Sequence, residues 1–389
     1  MRAKYNIAAA CVLSAIAALA DPCPPALTGV AAAVAQLRHV AGTFSPPCRV
    51  VSVEALRGEL ERKLRRDLPI APQLYLEALV RTGFVDGEPA DLYRHLLGFY
   101  TSQVLGFYEP ARDEMVIVNS PAASSGESSA VWAHELEHAV QEHRFHLPSR
   151  LLAMRTDSDA QRAASAIAEG EAMLVMLIVN GGGGASASSL DAQDVALAQQ
   201  AATLTAPGVP DFFIQDLVFP YATGLATVLR AYEAGSWPAV DRLLAHPPAD
   251  TAALLHPSEA HRAPVVSAGA LPAVPPGWDE VLTDVVGEWG LSFLLGRRLP
   301  HAEASGIAAG WDGDRLRLIR ETAHPQRWAL VWRIACRDDG KRQALEEALR
   351  HHFPILLARL SDPGPPRLDW AATDRSLEVR AAWPAAAPR

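Results

Sequence analysis

Hydrophobic positions recur every three to four residues through most of the first hundred residues, which is the period of an amphipathic helix. This pattern predicts helices over residues 27–40, 50–66, 69–82 and 89–98. It then gives way to two short apolar runs, 103–108 and 114–119, the second rich in β-branched residues. Residues 109–113 separate the two runs and have the composition of a turn. This segment therefore predicts a β-hairpin.

A second series of helical patterns follows the hairpin. Ser124, with Glu127 three residues later, is typical of the capping box at a helix start, and we expect this helix to reach about His143. Further helical patterns cover residues 158–179, 190–204 and 222–235, and glycines 181–184 end the first of them. The body of the protein is thus expected to be mainly helical.

The pattern changes again after a stretch rich in proline and alanine at residues 246–277. Residues 279–296 predict one more helix. Residues 315–321, 328–336 and 376–383 predict strands, and 341–352 predict a helix between the second and third of these. The expected fold class is α+β: a helical body with a short β-hairpin, and a small C-terminal β-β-α-β unit.

The N-terminus has the composition of an export signal. Arg2 and Lys4 precede an apolar run from residue 7 to residue 20, and Ala18-Leu19-Ala20 offers a cleavage pattern. Residues 1–20 are therefore expected to be a signal peptide, with a buried N-terminal helix as the alternative. The mature protein would be exported, to the periplasm or the extracellular space, and no transmembrane segment is expected after the signal is removed.

Cysteine usage agrees with export. After removal of the signal, Cys23 and Cys48 lie 25 positions apart in a proline-rich stretch, and in an oxidising compartment they could pair. Cys336 lies within the apolar run 328–336 and is expected to be a buried free thiol.

Composition excludes two broad classes of protein. The 389 residues are 49% hydrophobic and 20% charged, values typical of a globular chain and not of a disordered one. The net charge of −9 argues against a generic nucleic-acid binder. Neither number identifies a partner, and the oligomeric state is left open.

The strongest chemical signal is the segment His134-Glu135-Leu136-Glu137-His138. On a helix, positions i and i+4 share a face, so His134 and His138 can bind one metal ion. Zinc suits two neutral imidazoles and one carboxylate, with a fourth position for water whose pKa it lowers. Glu135 would lie close enough to accept a proton from that water. The alternative is a surface helix with two solvated histidines.

A third ligand has to come from elsewhere in the chain. Glu169 and Glu171 flank Gly170 in an otherwise apolar helical segment, and burying either carboxylate unpaired would be unfavourable. A metal ion would stabilise one of them. Glycine is disfavoured inside a helix, and close packing against the metal-binding helix is one reason for its presence. The spacing alone leaves the choice between Glu169 and Glu171 open.

This combination of motifs resembles the gluzincin metallopeptidases, in which His-Glu-x-x-His is followed downstream by a helix with Glu-Gly-x-Ala. Within that type, the chain resembles a secreted bacterial family of neutral zinc metallopeptidases over about residues 90–340. The matching stretches are 106–110, 134–141, 168–172, 219–224, 255–257 and 309–314. One departure is the separation of 30 residues between His138 and Glu169, which is longer than in thermolysin-like enzymes.

The resemblance implies a zincin-like catalytic domain over residues 21–265, with residues 278–385 as a C-terminal α/β subdomain packed on it. It also implies that Glu169 is the third zinc ligand and that a strand edge binds the substrate backbone, for which 114–119 is the candidate. Tyr221 and His256, from two of the matching stretches, are candidate donors to the oxyanion. Asp157, Asp159 and Glu171 are candidates to orient a ligand imidazole.

The expected function is therefore that of an exported zinc-dependent metallopeptidase with one Zn²⁺ per chain. Glu135 would be the general base, and a peptide or protein would be the substrate. The alternative is a non-catalytic zinc-binding or partner-binding protein of the cell envelope. Glu135 argues against a purely structural zinc site, which has four protein ligands and no use for a base.

Overall fold

The computed structural model describes residues 23–119, 127–181, 206–258, 271–358 and 364–383. The expected signal peptide, the capping residue Ser124 and the expected helix 190–204 lie outside the described residues. The described helices, here numbered α1 to α12 in chain order, are Ala26–Leu37, Val53–Asp67, Pro72–Arg81, Pro89–Gln103, Glu127–Phe145, Leu147–Ala153, Ser158–Asn180, Asp211–Ala245, Ala252–Leu255, Gly287–Gly296, His301–Ala308 and Asp339–Leu357. The fold class is α+β, as expected.

A small three-stranded sheet lies beside the helical body. It contains β1 (Cys48–Val51), β2 (Gly106–Glu109) and β3 (Glu114–Val118) in the order β1-β3-β2. The predicted hairpin is confirmed, because β2 pairs antiparallel with β3 around a short 3-10 turn. Strand β1 was not predicted, since residues 50–66 had a helical pattern. The side chain of Ser52 caps α2 by accepting from the N–H of Ala55, so the residues before it are extended and pair parallel with β3.

The position of β1 corrects the expected substrate-binding edge. Strand β3 lies between β1 and β2, and strands on both sides use its backbone hydrogen bonds. Residues 114–119 therefore cannot add a further strand. The edge of this sheet on the hairpin side is β2, which packs against α5.

The C-terminal part is a five-stranded antiparallel sheet in the order β4-β5-β6-β8-β7, with strands Trp278–Asp284, Trp311–Glu321, Trp328–Cys336, Arg367–Ala372 and Ser376–Ala382 as β4 to β8. The predicted strands at 315–321, 328–336 and 376–383 and the helix at 341–352 are confirmed. The predicted helix 279–296 is half wrong, because its first half pairs with β5 as strand β4. Helix α10 starts only at Gly287, whose φ of +76° is a left-handed backbone conformation that separates the strand from the helix. Strand β7 was not predicted.

The hydrophobic core runs continuously from the helical body into the C-terminal sheet. Leu76, Leu136 and Ile167 belong to the same buried cluster as Trp332 and Phe353. The two expected subdomains therefore share one apolar interior. Helix α12 covers one face of the sheet, and helix α10 contacts α7 of the body.

The cysteines behave as their positions suggested. Cys23 and Cys48 form a disulfide, which joins the segment before α1 to the start of β1. On the entropic model a bridge of this loop length stabilises the fold by about 3 kcal/mol. Cys336 is a buried free thiol, and burial raises its pKa to about 12. A thiol held in this way is unreactive at neutral pH.

The long apolar helices α7 and α8 form the centre of the body. They cross where Gly170 faces Gly224, and a Cβ at either glycine would overlap the other helix's backbone. The glycine between the two glutamates is thus explained by α8, which corrects the expectation that it contacts the metal-binding helix. By length and hydropathy both helices could span a membrane, but 61% and 56% of their most apolar windows are buried inside the protein. That burial is what core helices of a folded domain show.

Candidate metal centre

Helix α5 places His134 and His138 on one face. The two rings lie edge to face with centroids 4.8 Å apart, and their Nε2 atoms are 3.2 Å apart. One Oε2 of Glu169, on α7, lies 3.0 Å from Nε2 of His134 and 3.5 Å from Nε2 of His138. All three ligand atoms lie within 4.8 Å of one another, so this cluster could hold a metal ion.

The electrostatics of the cluster favour positive charge at its centre. Burial alone would lower the pKa of His138, but the Glu169 carboxylate raises it to about 10. Burial would likewise raise the pKa of Glu169, but the two imidazoles hold it well below its usual range. A carboxylate buried between two imidazoles stabilises protons there, and a divalent cation satisfies the same need. The residues present therefore fit a metal ion that accepts both nitrogen and oxygen ligands.

Glu135 lies beside the cluster and faces the edge of the small sheet. Its Oε2 accepts a hydrogen bond of 2.9 Å from the backbone N–H of Tyr108 in β2. This N–H points away from β3, as alternate residues of an antiparallel edge strand do. The contact places the edge of β2, Glu135 and the two histidines at one site.

Tyr221, one of the two predicted donors, is part of the site. Its ring stacks against His134, with ring centroids 5.9 Å apart and an angle of 26° between the planes. Burial, together with the negative charges of Glu169 and Glu135, raises the pKa of Tyr221 well above its ordinary value. The hydroxyl therefore keeps its proton at neutral pH, and a hydrogen bond to Glu169 contributes to the same shift.

His256, the other predicted donor, lies elsewhere. Its Nε2 is 2.6 Å from the Glu288 carboxylate, and both residues line a cavity of about 960 Å³ between the helical body and helices α10 and α11. The lining of this cavity contains neither histidine of the motif nor Glu169. The structure therefore does not bring His256 together with the candidate metal ligands. The sequence around His256, a histidine before a proline, did not indicate whether its side chain lies at the candidate metal ligands or in this cavity.

Glu171 does not face the two histidines. It is fully buried, and its Oε1 lies 2.7 Å from Nε of Arg38, the residue that follows α1. The same Nε lies 3.0 Å from Glu137 of α5, and Nη2 of Arg38 lies 2.7 Å from Asp241 of α8. The four residues Arg38, Glu137, Glu171 and Asp241 are called the ion-pair cluster below. Their geometry makes Glu169, and not Glu171, the candidate metal ligand.

The ion-pair cluster reaches the metal centre through Gln141. The amide of Gln141 contacts both Glu171 and Nδ1 of His138. Glu171 is thus a predicted orienting residue that acts through Gln141. Asp157 and Asp159 do not have that role, because Asp157 caps the start of α7 and Asp159 accepts from Thr251.

Sequence reasoning missed Arg38 and the role of Gln141. The one indication of a residue such as Arg38 was that two glutamates on core helices, Glu137 and Glu171, would need a buried cation. No Lys or Arg lies within four positions of either glutamate in the sequence. Arg38 lies 99 positions before Glu137 and also stacks over Trp237, 4.2 Å from its ring centroid.

Comparison with known proteins gives one family match. Residues 275–370 match the model of a Domain of unknown function (DUF8575), about a quarter of the chain. No curated protein and no solved structure matches the chain. The matched region covers most of the C-terminal sheet and none of the candidate metal ligands.

Proposed function

We propose that this protein is an exported zinc-dependent metallopeptidase. The observation that carries the proposal is the convergence of His134, His138 and Glu169 on one point, with the carboxylate of Glu135 on the adjacent position of the same helix. Two imidazoles and one carboxylate are a ligand set of catalytic zinc sites, which leave the fourth position for water. Structural zinc sites have four protein ligands, and the described part of this cluster has three.

When bound, zinc supplies Lewis-acid chemistry: it lowers the pKa of water and polarises a carbonyl. Glu135 then accepts a proton from the attacking water and donates it to the leaving amine. The N–H of Tyr108 holds the Glu135 carboxylate toward the site. Tyr221, whose hydroxyl stays protonated, donates a hydrogen bond to the oxygen that becomes negative as the carbonyl is attacked.

The edge of β2 is the surface proposed to hold the substrate. An extended peptide can add to such an edge through backbone hydrogen bonds. Gly106 and Tyr108 point their backbone groups outward, and because the N–H of Tyr108 donates to Glu135, a substrate would pair with the groups of Gly106 and with the carbonyl of Tyr108. This edge replaces residues 114–119 in the proposal, and it accounts for a peptide or protein substrate without specifying its sequence.

The test combines metal content with cleavage. We expect about one zinc per chain in the wild-type protein by elemental analysis and a clear loss in His138→Ala. Cleavage of a peptide library should fall by at least about 100-fold in Glu135→Gln, since general acid–base catalysis contributes 10²–10⁴-fold.

Glu142→Gln is the matched control, because Glu142 lies on the same helix and its carboxylate contacts Ser149 and His146, neither of which is a candidate metal ligand. It should keep both zinc and activity. Zinc bound without any cleavage by the wild-type protein would favour a non-catalytic zinc-binding protein of the cell envelope instead. Absence of zinc from the wild-type protein, even after zinc is supplied, would contradict the proposal as a whole.

A further inference from the structure

Gln141 connects the candidate metal centre to the ion-pair cluster. Its side chain is fully buried on α5, one turn after His138. Its Oε1 lies 3.0 Å from Nδ1 of His138. Its Nε2 donates to the backbone oxygen of Ala168 at 2.8 Å and to Oε2 of Glu171 at 2.7 Å. The two contacts of Nε2 are buried, and the contact of Oε1 with His138 is partly buried.

The orientation of this amide follows from its neighbours. The backbone oxygen of Ala168 can only accept a hydrogen bond, so the amide nitrogen of Gln141 must lie on that side. Glu171 accepts the second N–H and is held in place by Arg38. The amide oxygen therefore faces His138, and because that oxygen can only accept, Nδ1 of His138 must carry a hydrogen.

A hydrogen on Nδ1 decides which nitrogen can bind a metal ion. A neutral imidazole has one N–H and one free lone pair, and here the lone pair belongs to Nε2. Nε2 is also the atom of His138 that lies next to Nε2 of His134 and Oε2 of Glu169. The buried amide and the ligand geometry thus select the same nitrogen, although they contact opposite sides of the ring.

We propose that Gln141 is a positioning residue that selects Nε2 of His138 as the metal-binding nitrogen, with Glu171 and Arg38 holding its amide in the required orientation. This inference rests on the metal-binding part of the proposed function and not on peptide hydrolysis. Residues that orient a ligand imidazole raise metal affinity by fixing the ring and its tautomer. Glu171 takes part in the site through Gln141, without contacting the metal ion.

The first experiment measures zinc affinity by competition with a chelator. Gln141→Met has a similar volume but replaces the amide oxygen with a weakly accepting sulfur, and we expect it to bind zinc roughly 10- to 100-fold more weakly than the wild-type protein. Gln161→Met is the matched control, since Gln161 on α7 also donates to a backbone carbonyl, that of Leu151. The control should bind zinc as the wild-type protein does. Equal affinity in Gln141→Met would overturn the proposal.

The second experiment observes the imidazole directly and does not depend on activity or on the stability of a variant. In zinc-loaded wild-type protein labelled with ¹⁵N-histidine, His138 should show a slowly exchanging proton on Nδ1 and none on Nε2. A proton on Nε2, with zinc on Nδ1, would overturn the proposal even if Gln141→Met fails to fold.

The two proposals can fail separately. Zinc binding that depends on Gln141, without peptide cleavage, would contradict the peptidase and support the positioning role. Cleavage by the wild-type protein with equal zinc affinity in Gln141→Met would contradict the positioning role alone.

Discussion

Helix α7 contributes to two buried polar clusters whose carboxyl groups are stabilised by different kinds of partner. In its second half, Glu171 belongs to the ion-pair cluster, where Arg38 lies within 3.0 Å of both Glu137 and Glu171, although burial and the charge of Glu171 still raise the pKa of Glu137. At its start, Asp159 lies close enough to Asp314 of the C-terminal unit for that charge to raise its pKa, as it does for Asp284, and these three residues are called the aspartate cluster. All three aspartates are buried or nearly so, yet their hydrogen-bond partners are neutral.

The donors to the aspartate cluster come from hydroxyls, indoles and backbone. Asp284 accepts from the N–H and Oγ of Ser158 at 2.7 and 2.6 Å, which caps the start of α7 from the neighbouring sheet. Asp314 accepts from the indole N–H groups of Trp311 and Trp332 at 2.9 and 2.8 Å. The cluster therefore joins the helical body to the C-terminal unit through hydrogen bonds that need no countercharge.

The comparison shows what each arrangement can do. A buried Arg with several carboxylates holds its members in one geometry, which suits a cluster that orients a metal ligand. Neutral donors satisfy the aspartates without cancelling the cost of burying their charge, so burial raises the pKa of Asp284 to about 6. Arg162 lowers the pKa of Asp159, but burial outweighs this effect and the pKa stays raised. The ion-pair cluster is thus sensitive to loss of its cation, and both clusters hold a carboxyl whose pKa burial raises: Glu137, where the charge of Glu171 adds to the shift, and Asp284.

The largest expected effect comes from removing the cation. Arg38→Met leaves Glu137 and Glu171 buried without a countercharge, and should lower the free energy of unfolding by about 3–5 kcal/mol. Urea-induced unfolding of metal-free protein measures this change. Arg144→Met is the control: Arg144 lies 2.6 Å from Asp241 but is 36% exposed, so its loss should cost less than about 1 kcal/mol. Equal effects of the two substitutions would remove the distinction drawn between a buried and a peripheral cation.

The second effect is the dependence of stability on pH that Asp284 imposes. Its pKa is about 6 in the folded protein and about 4 when unfolded, so its contribution to stability is complete below pH 4 and is lost as the pH rises through 6. The loss should reach about 3 kcal/mol by pH 8. The measurement is the free energy of unfolding of wild-type protein relative to Asp284→Asn at several pH values. A constant difference between pH 4 and pH 8 would show that Asp284 is ionised without penalty.

A smaller effect should come from a single hydroxyl that donates to the aspartate cluster. Oγ1 of Thr251 donates to Asp159 at 2.5 Å and accepts from the backbone N–H of Trp289 at 3.1 Å. Thr251→Val removes both bonds and should lower the free energy of unfolding by about 2 kcal/mol. In Thr227→Val the lost hydroxyl is partly exposed and bonds within its own helix, so a change within about 0.5 kcal/mol is expected. Similar losses in both variants would mean that burial of the aspartate cluster adds nothing to the strength of its hydrogen bonds.

Features encoded by local spacing could be predicted from the sequence. The separation of His134 and His138 by four positions, the hairpin around residues 109–113 and the pairing of two cysteines all depend on short or covalent relationships. Glu169 was a candidate on the same basis, because a carboxylate in an apolar helix needs a partner. Tyr221 and His256 had equal support from the sequence, and only Tyr221 lies at the site.

The tertiary structure alone decided which distant residues meet. Arg38 reaches Glu137 across 99 positions and Asp241 across 203, and no helical or strand period relates such residues. The choice of Glu169 over Glu171 follows from which face of α7 lies against α5, and the close contact of Gly170 with Gly224 fixes how α7 packs on α8. The sequence by itself therefore determined the chemistry of one candidate metal-binding helix, since backbone geometry converts spacing into a shared face. The packing of the helices determined the rest of the site, because only packing sets the distances between side chains that lie far apart in the chain.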